Sequence, residues 1–166
     1  MRNEDENDLA RGASVSCSNE EPEALAAYVI DGFNRDVGDG CSHQWRSSIL
    51  VANPWIVLSW SSPKRIGLVQ ISFDSGLHRR LFLSGEDSTY FAQTRGPQPE
   101  LVAEYTLEGL VDGAWRTLAD EKNNFLRLRR HPFDSLSLSA LRIRVLRTHG
   151  DEKARIFEVR CYEGQR

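Results

Sequence analysis

The sequence predicts an all-β protein, an antiparallel β-sandwich of jelly-roll form. Three observations predict it. Short runs of period-two apolar alternation recur along the chain, clusters of Gly, Asp, Asn, Ser and Pro punctuate them, and no helical pattern of ten or more residues follows residue 30.

In chain order, residues 1–9 (MRNEDENDL) are acidic and polar and read as a disordered tail; one domain then spans 10–163. A short strand lies between Ala10 and Ser18. EEPEALAAYVIDG reads as a helical turn or two, with Ala24, Leu25, Ala27 and Tyr28 on its apolar side, ended by Asp31-Gly32. The Gly/Asp/Asn/Ser-rich stretch FNRDVGDGCSHQW is a long loop. Strands follow at 55–60 and within KRIGLVQISFD, where either Ile66, Leu68 and Ile71 or Val69 and Phe73 face the core. Further strands are expected at 81–84, 101–110, 114–120, 125–133, 140–148 and 155–163. In LRIRVLR, Leu141, Ile143 and Val145 point one way and Arg142 and Arg144 the other, as in a half-buried strand. VDG between Leu110 and Ala114 is a hairpin turn.

Composition excludes several function classes. The formal net charge of −3 supplies no concentrated positive field for nucleic acid or an anionic membrane; the Arg127/Arg129/Arg130 run reads as a solvated strand face. No apolar run spans a membrane, and the N-terminus lacks the apolar core of a signal peptide, which leaves localisation open. The three cysteines, Cys17, Cys41 and Cys161, form neither a disulfide framework nor a zinc pattern. Cys161, inside an alternating strand, reads as a buried free thiol; a Cys17–Cys161 bridge joining the termini is the alternative. No G-x-S-x-G, H-E-x-x-H or C-x-x-C occurs, and no carboxylate pair has a spacing that fixes glycosidase chemistry, so the chain is not expected to be an enzyme.

Motif order carries more than any single motif. Ile30-Asp31-Gly32, Trp45 with Ser47, Pro54-Trp55, Ile66 to Val69, Trp115 with Leu118 and Glu158-Val159 follow one another as in the discoidin (coagulation factor 5/8 type C) family. From residue 10 to about 163 the chain resembles that galactose-binding-domain-like, carbohydrate-binding-module-like group. FDSGLHRRL followed by THGDEKARIFEVR further resembles the C-terminal sandwich of bacterial FAD-dependent oxidoreductase-like proteins, although no flavin-binding glycine motif is present and no flavin is expected in this domain.

The resemblance implies a non-catalytic binding module appended to a larger protein, with carbohydrate as its first ligand class. The alternative is a structural or interaction domain packed on a catalytic domain of the parent chain, with Arg127, Arg129, Arg130 and the 86–98 loop as contacts. Oligomeric state is left open. Sugar sites in such modules join an aromatic face to convergent polar groups on loops at one end of the sandwich. The loop candidates are Arg35, His43, His78, Arg79, Arg80, Tyr90 and His149, with Trp45 assigned to the core and a ligand platform as its alternative. Trp55, Trp60 and Trp115 are assigned to the core.

The resemblance also implies a structural calcium joining the first loop to the last strand. Its ligands map onto the carboxylates of Asp31, Asp36 and Glu158 and the carbonyls near Tyr28, Phe33 and Phe157. Glu158 supports this independently, because a carboxylate within an apolar strand needs a partner; pairing with Arg155 or Arg35 is the alternative. The interval from Asp31 to Trp45 is longer than the family pattern.

Overall fold

The computed structural model describes residues 2–47, 51–79, 86, 88, 91 and 93–164. The strands are β1 (Ser14–Cys17), β2 (Trp45–Arg46), β3 (Trp55–Phe73), β4 (Val102–Val111), β5 (Ala114–Glu121), β6 (Leu128–Thr148) and β7 (Arg155–Tyr162), with 3-10 turns at Leu9–Gly12 and Ala26–Ile30. All strand pairs are antiparallel, in the order β2-β7-β3-β6-β4-β5, with β1 paired to β3. The strand expected at 81–84 lies outside the described residues. Among the described residues no helix is long and apolar enough to cross a membrane.

β3 and β6 each serve both layers of the sandwich. The first part of β3 pairs with β1 and with Ala140–Arg144 of β6, and its second part pairs with β7 and with Leu128–Leu138 of β6. The runs at 55–60 and 64–73 are therefore one strand, with a register shift between Ser59 and Lys64 where SSP reads as a turn. A second shift, between Ile66 and Leu68, moves the inward set from even to odd positions, so that Ile66, Val69, Ile71 and Phe73 are all fully buried. Gly67 permits this kink. A Cβ there would lie 2.5 Å from Ser135 Oγ and 2.6 Å from Gly164 Cα.

The layers meet at Tyr105. Its ring centroid on β4 is 5.0 Å from that of Phe73 on β3, and its hydroxyl donates to His131 Nε2 on β6 at 2.7 Å. Burial lowers the His131 pKa, which keeps the imidazole neutral and able to accept. Leu141, Ile143 and Val145 face the core, as the alternation predicts. At the VDG hairpin Asp112 and Gly113 both have positive φ, 50° and 80°, the geometry of a type I′ turn.

Two expectations change. Residues 2–9 are tied down rather than loose: Asn3 N–H donates to the Gly32 carbonyl, and Asp8, 6% exposed, accepts from the N–H groups of Ala10 and Cys161. A buried carboxylate with backbone donors outweighs the polar composition around it. Trp115 is 38% exposed on the edge strand β5, its ring covered by the Arg142 guanidinium at 4.2 Å, and Trp55 is only half-buried; Trp45 and Trp60 are core. Cys161 is a fully buried free thiol, as its place in an alternating strand predicts, and Cys17 is free as well, so the alternative bridge is not formed.

Replacing Gly67 by alanine should destabilise the protein by about 1–3 kcal/mol, since a methyl group has no room beside Ser135 and Gly164. Urea denaturation measures this, and Ser135→Gly should recover part of the loss.

Candidate functional site

The segments 31–44, 74–79, 122–127 and 149–154 meet at one end of the sandwich and are held there largely by charged side chains. In the first, His43 is clamped between two carboxylates. Its Nδ1 is 2.7 Å from Asp31 Oδ2 and its Nε2 is 3.0 Å from Asp39 Oδ2. Only an imidazolium can donate from both nitrogens. Burial alone would lower the His43 pKa; the hydrogen bonds to Asp31 and Asp39 outweigh it and raise it. The Phe33 ring lies against the imidazole, centroids 4.2 Å apart, and His43 N–H donates to Asp36 Oδ1.

The other segments carry a second charged network. Arg79 forks onto Glu100, which is 5% exposed, and also donates to Gln98. Burial alone would raise the Glu100 pKa, but Arg79 more than reverses this and lowers it. Arg155 lies between Asp74, 3.6 Å away, and Asp151, 2.6 Å away. His149 binds backbone on both sides: its Nε2 is 2.7 Å from the Asn124 carbonyl oxygen and its N–H donates to the Leu101 carbonyl.

Between the two networks lies a cavity of about 290 Å³ lined by Arg35, Asp36, Asp74, Leu77, His78 and Phe157. Arg127 borders it, reaching the Asn34 carbonyl with its guanidinium 5.7 Å from the Phe157 ring centroid. Burial lowers the Arg127 pKa; Asp74 opposes this and Arg35 adds to it, so both lining residues act on the buried guanidinium. The lining mixes two carboxylates, a guanidinium and an imidazole with a small apolar wall.

Of the residues singled out for ligand binding, Arg35 and His78 line this cavity. His43, Arg79 and His149 serve the networks around it. Arg80 and Tyr90 lie outside the described residues. Asp74 and Leu77 were missed; Asp74 was legible as a carboxylate ending the apolar run LVQISF, immediately before a glycine turn.

Several of the oxygens that the resemblance assigns to calcium have protein partners in the folded chain. Asp31 Oδ1 accepts from Phe33 N–H and Oδ2 faces His43; Asp36 Oδ1 accepts from His43 N–H; the Tyr28 carbonyl accepts from Asp31 N–H. Carbonyls of the same loop are also covered: Arg2 donates to Asp31 O, Asn3 to Gly32 O and Arg127 to Asn34 O. Asp36 and Phe157 instead line the cavity, and Phe33 packs on His43. Glu158 pairs with Arg160 through Oε2 at 2.8 Å, and its buried Oε1 has no partner. Burial raises the Glu158 pKa, and Asp8 and Asp31 add to it. Among the described residues no group of three or more His, Cys, Asp or Glu side chains is arranged to hold a metal ion. As they stand, these residues do not fit a shell of six to eight oxygens.

A raised histidine pKa stabilises the fold fully below the unfolded value of about 6.5 and loses that contribution as pH rises through the folded value. The stability difference between wild type and His43→Phe should therefore be largest at acid pH and shrink above about pH 6.5. Melts taken across this range provide the measurement, and a difference that grows with pH would contradict the clamp.

No family model and no curated protein sequence matches the chain. Solved structures do. Chitosan-binding module 1 of a chitosanase/glucanase from Paenibacillus sp. IK-5 superposes with TM-score 0.69 and 14% identity, over 93% of this chain and 98% of that one. The family 32 carbohydrate-binding module of NanJ from Clostridium perfringens, in complex with galactose, gives TM-score 0.65 and 15% identity, over 92% and 94%. A family 89 glycoside hydrolase from Clostridium perfringens gives TM-score 0.66 and 16% identity, with 93% of this chain matching 14% of that one. The chain has the galactose-binding-domain-like β-sandwich fold of these modules.

Proposed function

We propose that this chain is a non-catalytic carbohydrate-binding module and that its sugar enters the cavity lined by Arg35, Asp36, Asp74, Leu77, His78 and Phe157. The observation that carries this reading is the cavity's chemistry and position. Two carboxylates, a guanidinium and an imidazole converge beside an apolar wall on the loops at one end of the sandwich. The likeness to modules described as binding chitosan or galactose supports the class of ligand. The match to a small part of a glycoside hydrolase supports a role as an appendage to a larger chain. Such a site binds through many hydroxyl hydrogen bonds and reacts with nothing; its polar groups serve orientation and specificity.

A glycan array followed by calorimetry with galactose, GalNAc-β-1,3-galactose and chitotriose tests the reading, these being ligands of the similar modules. Binding of at least one sugar is expected. Arg35→Ala and His78→Ala should each weaken it by about tenfold or more, roughly 1.4 kcal/mol, without changing the melting temperature. Absence of binding across the array and the calorimetric panel would end the proposal.

We propose further that the protein's own cations, rather than calcium, hold the first loop to the last strand. His43 and Arg160 engage one carboxylate oxygen each of Asp31 and Glu158, and Arg2 and Arg127 engage the Asp31 and Asn34 carbonyls, oxygens that a calcium shell would draw on. The melting temperature should then be the same in chelator and in millimolar calcium. A fall in chelator, or one calcium per chain by elemental analysis, would overturn this.

A further inference from the structure

The turn between β5 and β6 is built in an unusual way for a connection. Its Asn124 is fully buried and engages both main-chain polar groups and both side-chain ones. The N–H donates to the Ala103 carbonyl at 2.9 Å and Nδ2 to the Val102 carbonyl at 2.7 Å. Oδ1 accepts from Leu126 N–H at 3.0 Å, and the Asn124 carbonyl oxygen is 2.7 Å from His149 Nε2. The turn is thereby fastened to the start of β4 and to the loop after β6. What it carries is apolar and faces water: Phe125 is 62% exposed and Leu126 46%. Folding gains little from these two side chains where they stand, and a ligand covering them would gain their transfer free energy.

Their position ties them to the cavity. The β3–β6 ladder ends with Ser72 opposite Leu128, and Phe73 N–H then donates to the Arg127 carbonyl. One residue further along both chains stand Asp74, a lining residue, and Leu126. Arg127, between Leu126 and Leu128, turns its guanidinium toward Phe157, another lining residue. Among the described lining residues the one phenyl ring, that of Phe157, offers little face, being 2% exposed. Its volume of about 290 Å³ lies at the bottom of the range for ligand pockets, roughly 300–1,000 Å³, room for about one sugar ring.

We propose that Phe125, backed by Leu126, is a platform for the C–H face of a second sugar ring next to the one in the cavity, so that the ligand is an oligosaccharide. This rests on the carbohydrate reading above. A ring mounted on an anchored turn is already ordered before the ligand arrives, so stacking on it loses little conformational freedom.

Calorimetry on the intact chain tests the proposal with galactose against GalNAc-β-1,3-galactose, and with glucosamine against chitotriose. For the wild type, the longer member of the pair that binds should bind about tenfold tighter or more. Phe125→Ala should erase that gain while leaving monosaccharide binding and the melting temperature as they are, and Phe125→Trp should keep it. Arg35→Ala, in contrast, should weaken both members. If Phe125→Ala leaves the oligosaccharide affinity unchanged, the platform is refuted and the cavity stands. If the wild type binds no sugar, the carbohydrate reading fails and the platform falls with it.

Discussion

The molecule depends on the pairing of β3 with β6. These two long strands run side by side through both layers, so each layer is built around the same pair of chains. Such pairing brings together residues far apart in sequence and leaves few degrees of freedom for the rest. β4 and β5 extend one end of the pair; β7 and β2 extend the other. Because the pair must bend to serve two layers, the bends are where the chain departs from regular strand, and one of them demands a glycine. Gly67 lies against Gly164 and Ser135, so the close approach of three backbone segments there is a condition of the bend. Tyr105 closes the sandwich from the opposite layer, with its ring on Phe73 and its hydroxyl on His131. One side chain thus joins β4, β3 and β6 through both packing and a hydrogen bond.

The loop end is organised by charge. Fully buried carboxylates are costly unless they meet a cation or several donors. Each buried acid here has such partners: Glu100 has Arg79, Asp74 has Arg155 and the Gly76 N–H, and Asp8 has two backbone N–H groups and Asn3. Glu158 is the partial exception, with one oxygen paired to Arg160 and the other without a partner. Its raised pKa means that it subtracts stability at neutral pH, and that deficit lessens as pH falls toward the folded value. The two histidines with resolved shifts act in opposite senses. His43, raised by its acids, favours the fold in acid; His131, lowered by burial, opposes it in acid, and that penalty disappears as pH rises above the unfolded value.

What was legible in the sequence was whatever depends on local period. The alternation of Leu141, Ile143 and Val145, the VDG hairpin and the helical turn before Asp31 all follow from spacing over a few residues. The bends were not legible, because SSP at 61–63 looks like a turn between two strands, and a shift of inward parity at Gly67 leaves no mark in composition. Among candidate site residues, type was readable and role was not. His43 and Arg79 have the chemistry of ligands, but Asp31 lies 12 positions from the first and Glu100 21 positions from the second. Only the folded chain shows that these groups face each other rather than solvent. The Glu158 partner was within reach of simple reasoning: Arg160, two positions on, shares its face of the strand, whereas Arg155 does not.

These distinctions bear on how a binding surface can exist at this end at all. A charged side chain whose donors or acceptors are already engaged by buried partners has few left for a sugar hydroxyl, so Arg79, Glu100, His43 and Asp31 form the frame. The groups left to face the cavity are those on its lining, Arg35, Asp36 and His78 above all. Apolar surface follows the same division. The core takes the aromatic rings that can be enclosed, and Phe125 remains outside because Asn124 beneath it is held by the start of β4 and by His149. The same bonds that hold the turn thus leave its ring at the surface, where the proposed platform needs it.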